Sequence, residues 1–307
     1  MATTATPGTG DLAAEPYGPS GRSEWMDFDW AGHLRWMRVQ GSLVNVLDVG
    51  SGPAVLLLHG LSGCWQNWLE NIPRFARDHR VIAVDLPGFG ASPMPPEQIS
   101  VSGYARMLVA LLDELGIETV SIVGSSMGGF VGAEMAIRRG SRVDRLVLAA
   151  AAGLSMRQMR HERRRGVRPR VENVLFFSLG RLAAHTDVVV RSSHLRRALL
   201  MLVVAHPERL PPPLIAEQAH GAGRPGFDAA LDAMTGYPIR DRLGEVACPT
   251  LVIWGEEDRL VPLRDAAEFE WLIPDARKLV YADTGHMVMF ERPDRFNRDV
   301  LGFLRSV

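Results

Sequence analysis

Short apolar runs recur along the chain and are separated by stretches with helical periodicity. Segments rich in apolar and β-branched residues lie at Ala54–Leu58, Val81–Val84, Thr119–Val123, Val143–Ala149, Thr250–Trp254 and Arg277–Tyr281, and we predict a strand at each. Ala54–Leu58 is apolar throughout, as is typical of a strand that is covered on both faces of a sheet. Leu34–Val39 and Leu43–Val49 alternate instead, and they predict an antiparallel hairpin joined by Gly41 and Ser42.

The intervals between these runs predict helices. Apolar positions between Tyr104 and Leu115 mark one helical face, and Gly116 ends that helix. Trp65–Arg77, Met127–Arg139 and the stripe from Phe296 to Val307 predict three more helices. Because strands alternate with helices, the sequence predicts an α/β protein with a mostly parallel central sheet flanked by helices.

Residues 154–240 interrupt this alternation and predict an inserted helical domain. The core would then comprise residues 23–153 and 241–307, and residues 1–22, rich in Ala, Thr, Gly, Pro and Ser, predict a disordered tail. The insertion carries 14 arginines and 7 acidic residues. Two interpretations of this positive charge stay open: a solvated or core-docked helix face, or steering toward acidic substrates or anionic lipid.

Composition excludes several classes of protein. A net charge of −1 argues against binding of nucleic acid, and two cysteines far apart offer neither a disulfide framework nor zinc spacing. We therefore expect no metal and no cofactor. The apolar runs are too short to span a bilayer, and the N-terminal residues lack the features of a secretory signal. We expect a cytoplasmic protein without stable membrane insertion, either a monomer or a homodimer.

A G-x-S-x-G pattern stands where the Thr119–Val123 run meets the next helix, with Ser126 at its centre. A turn this abrupt projects the central hydroxyl out of the sheet and aims helix N–H groups at it. Gly124 and Gly128 are expected because side chains there would collide with the turn and the neighbouring strand. The pattern predicts Ser126 as a nucleophile, with Ser125 as the adjacent rival.

An acid and a base follow in the order that such a nucleophile needs. Asp258 follows the Thr250–Trp254 run, and His286 follows the Arg277–Tyr281 run within Asp-Thr-Gly-His. We predict that His286 takes the Ser126 proton and that Asp258 orients the imidazole. Glu256, Glu257 and Asp283 are the alternative acids.

With these motifs, and with His59-Gly60, the segment Asp85–Ser92 and Glu291-Arg292-Pro293, the chain resembles the α/β-hydrolase superfamily. The resemblance implies a cap (lid) domain at residues 154–240. It also implies an oxyanion hole built from the backbone N–H groups of Leu61 and Met127. Gly60 would let the backbone approach the substrate, and His59 would support this loop.

The resemblance implies a serine hydrolase, and we expect cleavage of short-to-medium acyl esters with water through an acyl-enzyme. One alternative is a C–C bond hydrolase of aromatic ring-cleavage products. Such enzymes often have Asn before the nucleophile in the G-x-S-x-G turn (the elbow), where this chain has Ser125. They also often have Trp after the catalytic histidine, where this chain has Met287. A cofactor-free perhydrolase or haloperoxidase is a further alternative. A non-catalytic binding protein is the alternative from another class.

Overall fold

The computed structural model describes residues 16–155, 203–221 and 223–306. Its centre is one eight-stranded sheet with the strand order β1-β2-β4-β3-β5-β6-β7-β8. The strands are β1 Leu34–Val39, β2 Ser42–Val49, β3 Ala54–Leu58, β4 Arg80–Val84, β5 Val120–Ser125, β6 Val143–Ala149, β7 Thr250–Gly255 and β8 Ala276–Tyr281. The sheet is parallel from β4 to β8, whereas β1 and β2 pair antiparallel at one edge. The predicted α/β fold is confirmed.

Alternate residues of the central strands serve two hydrophobic cores, one on each face of the sheet. Leu56 and Leu58 of β3 belong to the first core, and Val55 and Leu57 belong to the second. Both faces are therefore covered, which is why β3 is apolar at every position rather than at every second one.

Helices cover both faces of the sheet. The α-helices are α1 Ile72–Phe75, α2 Val101–Glu114, α3 Met127–Arg138, α4 Pro212–Gln218, α5 Phe227–Thr235, α6 Arg264–Leu272, α7 Val288–Glu291 and α8 Pro293–Arg305. Short 3₁₀ helices lie at Glu24–Asp27, Ala31–His33, Trp65–Trp68, Gly140–Arg142, Pro207–Arg209, Ala219–Gly221 and Arg240–Glu245. Apolar residues of α2, α3 and α6 pack in the first core, and those of α1, α7 and α8 pack in the second.

The predicted helix over Trp65–Arg77 is wrong. The segment forms the 3₁₀ turn Trp65–Trp68 and then the single-turn helix α1. Pro73 has no N–H, and its ring would clash with the carbonyl of Leu69 in a continuous helix. Asn71 stands at the break, where its side-chain amide donates to the Met289 carbonyl at 2.9 Å.

The predicted hairpin connection is displaced by one residue. Val39 pairs with Ser42, so the two-residue loop consists of Gln40 and Gly41. Both loop residues have positive φ, 47° and 80°. Positive φ at both positions gives the backbone twist that matches two antiparallel strands, and Gly41 adopts it without strain.

The last seven residues of the tail predicted over 1–22 belong to the described part of the chain. Tyr17 and Gly18 are buried, and the Tyr17 hydroxyl donates to the Glu291 carboxylate at 2.6 Å. A buried aromatic ring and a paired hydroxyl hold this stretch in place, which its composition did not reveal. Residues 1–15 lie outside the described residues.

The predicted cap falls largely outside the described residues, because 156–202 belong to the part that is not described. Within 203–221 and 223–240, the chain forms α4, α5 and short 3₁₀ turns and has no strand. Among all the residues that the structure describes, no helix combines the length and apolar character that a bilayer crossing requires.

Candidate active site

Ser126 lies in a sharp turn between β5 and α3. Its backbone has φ 51° and ψ −114°, a conformation that residues other than glycine rarely adopt. The turn is held by the Ser126 N–H, which donates to the Ala149 carbonyl at 2.9 Å. Such a turn at the carboxyl end of a central strand presents a hydroxyl in the way the sequence predicts for a nucleophile.

Two glycines allow this turn to pack against its neighbours. A Cβ at Gly124 would lie 2.5 Å from the backbone of Gly128, and one at Gly128 would lie 2.1 Å from the Leu58 carbonyl oxygen. Real Cβ atoms do not approach backbone so closely, so helix α3 can lie against β5 and β3 only with glycine at these two positions.

The predicted oxyanion loop lies beside the serine. A Cβ built on Gly60 would be 3.1 Å from the Ser126 Cβ, so the Gly60 backbone passes directly over the elbow. The loop is closed by the Gly63 N–H, which donates to the Gly60 carbonyl at 3.0 Å. Met127 is the first residue of α3, and its N–H therefore has no intrahelical acceptor. Leu61 and Met127 thus lie on two backbone segments that meet at Ser126.

Asp258 and His286 are in direct contact. The Nδ1 atom of His286 lies 2.8 Å from Oδ2 of Asp258, and both side chains are almost fully buried. The other carboxylate oxygen accepts the N–H groups of Leu260 and Val261 at 2.8 and 2.9 Å. Asp258 is therefore fixed by its own loop, and it leaves Nε2 as the imidazole nitrogen that is free to act on a hydroxyl.

The alternative acids do not contact the imidazole. Glu256 and Glu257 are exposed on the loop after β7. Asp283 accepts hydrogen bonds from His206, Arg209 and Arg292. The structure thus joins His286 to Asp258 and directs Asp283 toward a separate ionic cluster.

His59 uses both ring nitrogens within the core. Its Nε2 accepts the Leu86 N–H at 3.0 Å, and its Nδ1 lies 2.8 Å from the Gly60 carbonyl oxygen to which it donates. Burial lowers the pKa of His59, which favours the neutral ring whose Nε2 accepts the Leu86 N–H. Neither nitrogen remains for proton transfer, and the ring instead joins the oxyanion loop to the segment after β4.

The loop that carries His286 is held by its backbone. The N–H groups of Gly285 and Met287 donate to the two oxygens of Glu291 at 2.8 and 2.9 Å. The intervening His286 N–H donates to the Val203 carbonyl at 2.9 Å. Sequence reasoning noted Glu291 only as part of a motif. Its position in an otherwise apolar helix, beside Val288, Met289 and Phe290, was a signal that this carboxylate is buried and bound.

One cluster among the described residues brings metal-type ligands together. Ligand atoms of His206, Glu257 and Asp283 lie within 4.8 Å of one another. Arg209 and Arg292 donate to the same Asp283 oxygen at 2.9 and 3.0 Å. Two guanidinium charges at this carboxylate oppose a divalent cation there, so the cluster is better described as an ion-pair network.

The chain is similar to several hydrolases of known name. It is 31% identical over 278 residues to the 2-hydroxy-6-oxo-6-phenylhexa-2,4-dienoate hydrolase of Comamonas testosteroni, covering 86% of this chain and 92% of the relative. It is 31% identical over 288 residues to the 2-hydroxy-6-oxo-2,4-heptadienoate hydrolase of Pseudomonas putida F1, covering 89% and 96%. The solved meta-cleavage product hydrolase of Pseudomonas fluorescens IP01 superposes with a TM-score of 0.71 at 30% identity, covering 88% and 97%.

The elbow, the Asp258–His286 pair and the parallel sheet all lie within one matched region. A family model described as the alpha/beta hydrolase fold matches residues 53–293, which is most of the chain. The chain belongs to the α/β-hydrolase fold family, and it is a hydrolase.

Proposed function

We propose that this chain hydrolyses a carbon–carbon bond in 2-hydroxy-6-oxo-2,4-dienoates, the products of aromatic ring cleavage. The observation that carries the proposal is the likeness to hydrolases named for such substrates, at 31% identity over 86% and 89% of the chain. This proposal favours the alternative from the sequence over the ester hydrolase that was the first expectation. Both reactions need a nucleophile, a base and an oxyanion site, so the shared machinery is compatible with either.

The proposed chemistry assigns one role to each group. In the first step the proton of the 2-hydroxyl moves to carbon 5, which converts the 2-hydroxydienoate into a 2-oxo-3-enoate whose carbon chain can accept an electron pair. Ser126 then adds to the 6-oxo carbon, its proton passes to Nε2 of His286, and the N–H groups of Leu61 and Met127 bind the oxyanion. The bond between carbons 5 and 6 breaks, its electron pair enters the enone, and the proton held by His286 passes to the resulting dienolate oxygen. Water then gives a proton to Nε2 of His286 and attacks the acyl group, and that proton returns to the Ser126 oxygen as the acid leaves. The products are a 2-hydroxypenta-2,4-dienoate and a carboxylic acid.

Ester hydrolysis is the second candidate, and two residues favour it. Ser125 stands where the elbow of the C–C hydrolases often has Asn, and Met287 follows His286 where they often have Trp. The Ser125 hydroxyl is buried and finds no hydrogen-bond partner among the described residues. An alkoxide leaves more readily than a carbanion, so an ester would demand less of the residues around the elbow.

One substrate panel tests both candidates. Turnover of the 6-phenyl and 6-methyl dienoates is followed by loss of their chromophore, beside p-nitrophenyl esters from acetate to palmitate. We expect the dienoates to have the higher kcat/KM and Ser126→Ala to abolish turnover. Ser125→Ala is the matched control, because it removes a neighbouring hydroxyl that makes no hydrogen bond in the described part of the chain. Ester turnover without dienoate turnover would establish the second candidate, and full activity of Ser126→Ala would remove the serine mechanism.

A further inference from the structure

Three successive backbone N–H groups around the predicted base are bound by only two partners. The Glu291 carboxylate accepts the N–H groups of Gly285 and Met287, and the Val203 carbonyl accepts the N–H of His286. The position of the imidazole therefore depends on where the Glu291 carboxylate lies. A shift of that carboxylate would move the backbone of residues 285–287 together with the ring.

The Glu291 carboxylate is fully buried and has four donors. Besides Gly285 and Met287, it accepts the Ala205 N–H at 2.9 Å and the Tyr17 hydroxyl at 2.6 Å. Burial raises the pKa of Glu291, and these four donors oppose that rise because they bind the charged form. Each donor thus helps to keep Glu291 ionised, and only the ionised carboxylate can accept from all of them.

Tyr17 is the one donor of the four that comes from outside the hydrolase core and the inserted segment. The Gly18 N–H also donates to the Glu291 carbonyl at 2.7 Å, so the N-terminal segment makes two hydrogen bonds to this residue. The Tyr17 oxygen accepts the His206 N–H at 2.9 Å. One hydroxyl therefore joins the N-terminal segment, the 203–206 segment and the helix after His286.

Charged side chains surround the Tyr17 ring. The guanidinium groups of Arg209 and Arg292 lie 4.6 and 5.0 Å from the ring centroid. The His206 ring stands edge-on at 5.3 Å, and Asp283 binds His206 and both arginines. These contacts pack the ring at the position where its hydroxyl meets Glu291.

We propose that Glu291 and Tyr17 are positioning residues for His286, with Tyr17 fixing the carboxylate that aligns the loop of the base. The inference rests on the proposed function, because it assumes that His286 accepts the Ser126 proton. Proton transfer requires the imidazole within hydrogen-bond reach of the hydroxyl, and a displacement of about 1 Å costs on the order of a hundredfold in rate. The N-terminal segment is then part of the catalytic apparatus without touching substrate.

The test is Tyr17→Phe, which keeps the ring and removes the hydroxyl. We expect kcat to fall about tenfold with KM little changed, because the base is displaced while the substrate pocket is kept. We also expect the acidic limb of the kcat profile to move to higher pH, because Glu291 loses a donor that favours its charged form. The rate of Ser126 labelling by a fluorophosphonate is a second readout that needs no natural substrate.

Tyr104→Phe is the matched control. The Tyr104 hydroxyl is also buried and donates to the Pro87 carbonyl at 2.8 Å, but it makes no contact with the His286 loop. Tyr104→Phe loses this one buried hydrogen bond, whereas Tyr17→Phe loses the bond to Glu291 and the one from the His206 N–H, so both variants should unfold at a lower temperature and Tyr17→Phe at the lowest. Only Tyr17→Phe should change kcat and the acidic limb.

The outcomes separate this inference from the proposed function. Unchanged kcat, labelling rate and pH profile in Tyr17→Phe, with Ser126→Ala inactive, would overturn the positioning role and leave the hydrolase intact. Equal losses in Tyr17→Phe and Tyr104→Phe would overturn it as well, because a general loss of stability would then explain both. Full turnover by Ser126→Ala would overturn the proposed function and, with it, the premise about His286.

Discussion

Asp258→Asn replaces a carboxylate by an amide of nearly the same shape. In the structure, one oxygen of Asp258 accepts the N–H groups of Leu260 and Val261, and the other faces Nδ1 of His286 at 2.8 Å. The two backbone donors need an acceptor, so the amide oxygen of Asn must face them. The amide nitrogen then points at His286 and donates a proton where the carboxylate accepted one.

This reversal selects the wrong tautomer of the base. With Nδ1 forced to accept, the ring proton moves to Nε2, and Nε2 can no longer take a proton from Ser126. Loss of the correct tautomer costs about ten-thousandfold in kcat in serine hydrolases, which corresponds to about 5 kcal/mol of barrier. The fold should survive, because the variant keeps the side-chain volume and the two hydrogen bonds to the Asp258 loop.

The assay compares kcat on the turned-over substrate, and the rate of fluorophosphonate labelling, in Asp258→Asn and Asp283→Asn. The Asp283 side chain is 44% exposed and makes no hydrogen bond to His286, so Asp283→Asn removes a carboxylate of the same chemistry from the neighbouring ion-pair network and should cost far less activity than Asp258→Asn. Thermal unfolding shows whether both variants are folded. Activity of Asp258→Asn within about tenfold of wild type, or an equal loss in Asp283→Asn, would refute the assignment of the acid.

Two further predictions concern the loops that support the elbow. Gly128→Ala should destabilise the fold by about 3 kcal/mol or more in denaturant titrations, since its Cβ would lie 2.1 Å from the Leu58 carbonyl oxygen. Gly140→Ala, which has open space around it, should unfold like wild type, and equal unfolding of both variants would refute the close approach. Burial lowers the pKa of His59 from 6.5, so as the pH falls the unfolded chain binds a proton at this residue before the folded chain does. The free energy of unfolding should therefore be highest above pH 6.5 and fall below it, by up to about 1.4 kcal/mol per pH unit. His59→Gln, whose amide oxygen can still accept the Leu86 N–H, should reduce this slope in unfolding titrations, and an unchanged slope would exclude His59 as its source.

The central strands could be predicted because each one needs apolar residues on both faces. Their ends were harder to place, since a strand continues wherever its neighbour offers hydrogen bonds. The run Thr119–Val123 predicted a strand that the structure places at Val120–Ser125, because Ser125 still pairs with Ala149. The single helix predicted over Trp65–Arg77 was wrong because the spacing of apolar residues does not show that Pro73 lacks the N–H that a continuous helix needs.

Contacts between distant parts of the chain account for what the sequence did not reveal. Tyr17 and Glu291 are 274 positions apart, and the composition of residues 1–22 predicts disorder up to the residue that begins the core. Nothing local distinguishes a tyrosine that will meet a buried carboxylate from one in a mobile tail. The sequence signal was Glu291 instead, because a carboxylate in an apolar helix needs hydrogen-bond donors from other parts of the chain.

The candidate site was easier to predict than the substrate. The elbow, the acid and the base each follow a strand, and the ends of parallel strands meet at one edge of the sheet, so order along the chain becomes proximity in space. The contact between His286 and Asp258 follows the expected pairing, while the catalytic roles stay predictions. The bond that is cleaved depends on the shape of the pocket around these residues, which spacing does not encode.

The backbone of Ser126 has a wider consequence for how this chain can change. A residue held at φ 51° outside a favoured region costs about 1–3 kcal/mol, and glycine would relieve most of that cost. A descendant of this gene that no longer needed the hydroxyl could therefore gain stability in a single substitution. The serine marks a position where stability and chemistry are in opposition, and any lineage that keeps it accepts a less stable fold.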